Sequence, residues 1–427
     1  MSRTYPIGGL LVALLLVACV ALTWPVSDPA PAAQPVHMTP TELVSRGQYI
    51  ATAANCMGCH TVRGGAPYAG GRVLRTQFGN FYAPNITPDA QTGLGGWTAE
   101  EFWQALHLGR ARDGQLLYPA FPYPSYTKIS RADSDALFAY LQSLPAVKQA
   151  NLPHQLQFPY SLRPLLRVWQ RLYFTPGSYV PDPAKPASWN RGAYLVEGPG
   201  HCAACHTGRN ELGAADTRAG LAGANLIGLG WYAPPLGGGM DTGLGAMSQH
   251  DVATLLKSGV SSRSAVFGPM AEVVQGSLQH LRDDDIDAMA AYLKSLPVQD
   301  APTEEGPTVQ ADERLAMRAL GKRLYDHNCA SCHRGDGNGI PGVYPPLNGN
   351  PLVTGGSPIN MIRIVLHGGF PPATQLNPRP YGMPPFEPTF SDKEVAAVVS
   401  YTRNTWRNHA SYVSPNEVDA YRAVPEP

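Results

Sequence analysis

Charge is scarce in this chain of 427 residues: Lys plus Arg and Asp plus Glu stand at 32 each, for a net charge of zero. With neither basic runs nor an elevated isoelectric point, there is no electrostatic footprint for nucleic acid. Long apolar runs are also few. One uncharged stretch covers residues 7–24 and no series of such stretches follows it, which argues against a multi-helix membrane oxidase subunit. No nucleophile, acid/base pair or substrate pocket can be read from the chain, so the residues assign it no substrate of its own. Cysteine is limited to seven residues, yet six of them fall into one pattern.

That pattern is Cys-x-x-Cys-His, present as Cys56, Cys59 and His60, as Cys202, Cys205 and His206, and as Cys329, Cys332 and His333. Such spacing is the c-type haem attachment signature, because each thiol adds to one haem vinyl group while the imidazole reaches the iron. A structural zinc site would need a second ligand pair nearby. A thioredoxin-like dithiol would need a βαβ setting. Neither accompanies any of the three, so three covalently bound haem c groups are expected, with the three histidines as axial ligands. The length suits about three domains, and the 44 glycines and 42 prolines imply much turn and loop. Small domains of this kind fold around a prosthetic group that supplies part of their core.

The segments around the motifs repeat as well. Gly47 and Tyr49 precede Cys56, Gly192 and Tyr194 precede Cys202, and Gly321 and Tyr325 precede Cys329. Tyr82-Ala83-Pro84 and residues 92–95 match Tyr232-Ala233-Pro234 and residues 242–245, which is internal duplication. Residues 139–145 and 291–297 are near copies, and Ser400-Tyr401-Thr402 is a third version behind a capping box at Ser391 and Glu394. Each terminal helix must bury its apolar face against an N-terminal helix, with the glycine and aromatic positions as crossing points.

This order resembles the class I cytochrome c fold, and the threefold repeat is similar to the tri-haem cytochrome c subunits of membrane-bound periplasmic dehydrogenases. The resemblance implies an all-α chain of three tandem class I cytochrome c-like domains with loop-rich haem pockets. These fall at 37–147, 184–297 and 312–408, with an export segment at 1–36, linkers at 148–183 and 298–311, and a tail at 409–427. It also implies a methionine loop before each closing helix. Met270 and Met383 stand there in the second and third domains, as sixth ligands that raise the haem potential, while Met240, Met247, Met289 and Met361 read as core fillers. In the first domain Phe121 takes the methionine place. That haem is then open on its distal side or bound by another residue, with His107 the first internal candidate and His154 behind it. His367 is the third-domain residue expected to match His107.

The run at 7–24 spans roughly 27 Å, near the thickness of a bilayer core. It reads as an uncleaved anchor, as a lipoprotein signal acylated at Cys19, or as a cleaved export signal. Each places the body of the protein at the periplasmic face of a bacterial inner membrane. In the first linker, Leu162, Leu165, Leu166, Trp169, Leu172 and Tyr173 recur at helical spacing beside a stripe of Arg163, Arg167 and Arg171. Such a helix suits a membrane surface, haem propionates or ordinary interdomain packing. The partners implied by the resemblance are a large dehydrogenase catalytic subunit, a small iron-sulfur subunit, and ubiquinone or a soluble cytochrome as acceptor. The variant loop at Phe121 resembles the molybdopterin-linked group, an aldehyde-type dehydrogenase, ahead of quinoprotein or flavoprotein alcohol and sugar dehydrogenases. A haem enzyme whose first domain binds peroxide or a small gas is the competing reading.

Overall fold

Thr39 starts the first helix as the sequence predicts: its hydroxyl accepts from the Glu42 N–H at 3.3 Å while the Glu42 carboxylate accepts from the Thr39 N–H at 2.8 Å. The computed structural model describes residues 38–237, 243–297 and 306–424. The apolar run at 7–24, Cys19, Met240 and Thr242 lie outside the described residues, and among the described residues no helix is long and apolar enough to cross a membrane.

The first repeat consists of α1 (Pro40–Ala53), the short motif helix α2 (Cys56–His60), α3 (Ala99–Leu108), α4 (Tyr123–Tyr126) and α5 (Arg131–Ser143). The linker carries α6 (Leu165–Tyr173). The second repeat has α7 (Ala187–Glu197), α8 (Ala203–His206), α9 (Gln249–Ser258), α10 (Pro269–Gly276) and α11 (Asp283–Ser295). The third has α12 (Ala311–Asn328), α13 (Ala330–His333), α14 (Pro351–Thr354), α15 (Ile359–His367) and α16 (Asp392–Arg403), followed by a tail helix α17 (Pro415–Arg422).

Each repeat is organised by its first and last long helices crossing: α1 on α5, α7 on α11, and α12 on α16. The crossings are backbone contacts. A Cβ added at Gly47, Gly192 or Gly321 would lie 1.9, 2.0 or 2.3 Å from the carbonyl oxygen of Ala136, Ala288 or Ala397, so only glycine lets the helices meet. Around the first crossing Ile50, Leu137 and Leu141 are buried, and truncating either leucine to alanine costs about 2–5 kcal/mol. Met247 and Met289 are buried in the second core and Met361 packs against the third.

The chain is predominantly helical but not all-α. Strands β1 (Val73–Thr76), β2 (Gly79–Tyr82) and β3 (Gln155–Leu156) form one small antiparallel sheet, and β4 (Ala224–Leu226) with β5 (Trp231–Ala233) forms a hairpin in the second repeat. These strands are two to four residues long, too short to write an alternating pattern. Gly79, at φ 120°, is needed where β3 lies against β2: a Cβ there would fall 2.2 Å from the Gln155 carbonyl oxygen.

Helix α6 rides on the first repeat. Leu166 and Gln170 are buried, and Gln170 donates to the Leu108 carbonyl at 3.1 Å. Arg163 donates to the Leu116 carbonyl at 2.9 Å and stands over the Tyr118 ring, so it serves packing. Arg167 and Arg171 are exposed together with Leu162, Leu165 and Leu172. The third repeat docks on the second, where Asn360 brackets the Tyr232 backbone (2.9 Å from its N–H, 2.7 Å to its carbonyl) and Thr374 donates to the Ser258 carbonyl.

Candidate haem-attachment sites

Each motif histidine is held by the same device. Nδ1 of His60, His206 and His333 lies 2.7, 2.6 and 3.1 Å from the carbonyl oxygen of Pro84, Pro234 and Pro345. With Nδ1 donating to a carbonyl, Nε2 carries the lone pair and the ring orientation is fixed. Burial holds all three imidazoles below their ordinary pKa, against the opposing pull of the proline hydrogen bond, so they are neutral at pH 7. The proline segment comes alongside because of a glycine. The N–H groups of Gly70, Gly223 and Gly339 donate to the carbonyls of His60, His206 and His333 at 2.7, 2.9 and 3.1 Å. All three adopt positive φ (81°, 91° and 60°), and a Cβ would strike the backbone of the segment leading through Pro84, Pro234 or Pro345.

None of the six motif cysteines is in a disulfide. Burial, aided by the second thiol of each motif, pushes Cys56 and Cys202 up to about 12 and Cys329 to about 11. Thiols so raised are poor redox dithiols, and among the described residues no three His, Cys, Asp or Glu side chains converge as a metal-binding cluster, as a structural zinc site would need. Thioether bonds to a porphyrin, which brings its own four nitrogens and needs one imidazole from the motif, fit this donor set. Arginine supports two of the motifs: Arg72 donates to the Gly58 carbonyl at 2.7 Å and Arg209 to the Ala204 carbonyl at 2.9 Å.

The residue at the methionine position lies with the first cysteine of its own motif in each core: Phe121 with Cys56, Met270 with Cys202, and Met383 with Cys329. Met270 enters at the second residue of α10, behind Pro269 and Gly268. Met383 is fixed by reciprocal backbone hydrogen bonds with Gly369. His107 is 1% exposed, its Nδ1 is 3.0 Å from the Thr127 carbonyl and its ring stacks on Trp103 at 4.3 Å. His154 accepts from the Tyr82 N–H and packs on Phe81 and Tyr118, in a satellite cluster away from Cys56.

Two sequence equivalences need correction. Helix α3 ends at Leu108 before the left-handed Gly109, and α15 ends at His367 before Gly368, so His367 matches Leu108 and not His107. Tyr325 lies four residues beyond its crossing glycine, where Tyr49 and Tyr194 lie two beyond theirs. Its hydroxyl therefore turns to the Arg334 carbonyl of its own repeat, at 2.6 Å. The proline carbonyls were also missed, although the repeated Tyr-Ala-Pro was their signal.

Three such sites on one mostly helical chain define a c-type cytochrome with several haems. The cytochrome c family matches at residues 44–145, 190–297 and 318–406. The chain is 39% identical over 402 residues to the cytochrome c subunit of the quinone alcohol dehydrogenase of Gluconobacter oxydans (strain 621H), covering 90% of this chain and 83% of that one. It is 39% identical to the gluconate 2-dehydrogenase cytochrome c subunit of Pantoea cypripedii, with 86% of each covered. It is 38% identical over 93% of its length to one of the subunits of the nicotinate dehydrogenase of Pseudomonas putida KT2440, but spans 33% of that longer protein. The chain belongs to the cytochrome c family, among the cytochrome c subunits of dehydrogenases. Membership implies covalently bound haem c, and three matches are consistent with three haems.

Proposed function

We propose that this protein relays electrons from a periplasmic dehydrogenase catalytic subunit to ubiquinone or a soluble cytochrome, at the outer face of the bacterial inner membrane. The observation that carries the reading is the threefold His–proline carbonyl anchor, which readies one neutral imidazole per motif. Haem bound there supplies a one-electron iron couple tuned by its axial ligands and burial. Cys56, Cys59, Cys202, Cys205, Cys329 and Cys332 would hold it covalently, and His60, His206 and His333 together with Met270 and Met383 would supply its iron ligands. The partner is a molybdopterin aldehyde-type dehydrogenase with a small iron-sulfur subunit, a reading supported by the resemblance of the variant loop at Phe121. A quinoprotein or flavoprotein alcohol or sugar dehydrogenase is the alternative, supported by the similarity over most of their length to the quinone alcohol dehydrogenase and gluconate 2-dehydrogenase subunits. Identifying the large subunit that copurifies after mild detergent extraction decides between them, and a complex that reduces the same acceptor at full rate without this chain would end the relay reading.

A second reading has one observation in its favour: phenylalanine cannot ligate iron, and Phe121 stands where the other repeats place methionine. His107, with Nδ1 on a main-chain carbonyl as in His60, is the internal candidate for the sixth ligand. Carbon monoxide titration of the reduced protein separates the cases. Binding at one haem marks an open first site that can take small gases or peroxide, whereas binding only after His107→Ala marks His107 as the ligand.

A further inference from the structure

The first two repeats exchange side chains in a reciprocal way. Tyr49 of α1 reaches the start of α11, where its hydroxyl donates to Asp285 at 2.5 Å and accepts from the Arg282 N–H at 3.2 Å. Tyr194 of α7 reaches the start of α5, where its hydroxyl donates to Asp133 at 2.5 Å and accepts from the Ser130 N–H at 3.3 Å. Each aspartate is also bound by the arginine just before its own repeat's crossing glycine: Arg46 to Asp133 at 2.5 Å and Arg191 to Asp285 at 2.7 Å. Both carboxylates are nearly inaccessible to solvent, at 5% and 4% side-chain exposure, so these are charge-assisted bonds in a low-dielectric setting.

The same interface brings the attachment segments together. Helix α10, which carries Met270, packs on motif helix α2, and its following Ser277 lies 3.4 Å from the Ala53 carbonyl. Arg72, while holding Gly58 of the first motif, pairs with Glu272 of α10 at 2.7 Å. In the other direction the Tyr126 ring of α4 lies 5.5 Å from the ring of His201, next to Cys202. Ala53 and Tyr49 belong to the second repeat's core as well as to α1.

We propose that Tyr49, Tyr194, Asp133 and Asp285 are positioning residues, two reciprocal locks that fix the first two attachment segments relative to one another and make repeats one and two a single two-haem module. Among the described residues the third repeat shows no such lock. Tyr325 bonds within its own repeat and Glu394, at the place of the aspartates, caps its own helix. This rests on the relay reading, since it concerns how two electron-carrying sites are coupled.

The test uses the full holoprotein and its Tyr49→Phe, Tyr194→Phe and double variants, which keep the rings and delete the hydroxyls. Two porphyrins held close at a fixed angle give a bisignate Soret circular-dichroism band, and pulse radiolysis reads electron exchange between them. The double variant is expected to retain three haems while the couplet falls roughly twofold and the exchange rate roughly tenfold, with Tyr325→Phe leaving the couplet unchanged. A double variant with wild-type couplet and exchange rate overturns the proposal; if the double variant does not fold, both single variants with wild-type couplet and rate overturn it equally. Haem content is read separately by pyridine haemochrome: a wild-type chain without three haems overturns the relay reading instead.

Discussion

The first two repeats and the third share one crossing and one histidine anchor, but they use their spare polar groups oppositely. In the first two, the tyrosine two residues past the crossing glycine points outward and completes the other repeat's helix start. In the third, the tyrosine sits half a turn further and completes its own repeat. A shift of two positions on a helix rotates a side chain by roughly 200°, which is enough to turn an interface residue into a core residue. The third repeat then joins the second through Asn360 and Thr374, whose partners are backbone groups of the second repeat.

What the repeats share can be broken alike in all three. Gly47→Val, Gly192→Val and Gly321→Val each force a side chain into a carbonyl about 2 Å away, and each should cost about 3 kcal/mol or more, read by chemical denaturation and loss of haem content. The polar difference comes next. Asp285→Ala leaves Arg191 without its buried partner and should cost about 3 kcal/mol, whereas Glu394→Ala removes one half of an accessible capping box and should cost about 1 kcal/mol; equal losses in thermal or urea unfolding would erase the distinction.

Acid sharpens the same contrast. Burial alone would raise the Asp285 carboxyl, but the hydrogen bonds from Arg191 and Tyr49 prevail and hold it down at about 2. A carboxylate depressed in the folded state stabilises above its unfolded value near 4 and loses that contribution as pH falls through 2. The wild type should therefore lose stability between pH 4 and 2 more steeply than Asp285→Asn in a pH series of unfolding curves. The smallest effect is expected on α6, where Arg167→Gln with Arg171→Gln should change stability by less than about 0.5 kcal/mol, since both are exposed.

Much of this was legible beforehand because it is local. The capping boxes at Thr39 and Ser391, the crossing glycines and the three motifs are short-range patterns tied to a fixed helical period. The small sheets escaped because strands of two to four residues carry no period, and β3 comes from the linker. Sequence neighbours pair His367 with His107, while the positive-φ glycine that ends each helix sets the register. Tyr49 and Asp285 are 236 residues apart, and no local pattern links them.

The sequence by itself determined the number and places of the Cys-x-x-Cys-His motifs and where the last closing helix begins, because motif spacing and capping act within a few residues. Only the tertiary structure decided which proline carbonyl fixes each imidazole and which tyrosine reaches across to a neighbouring repeat. Those choices depend on backbone approach and on the direction a side chain takes from its helix, and both are settled when distant segments pack.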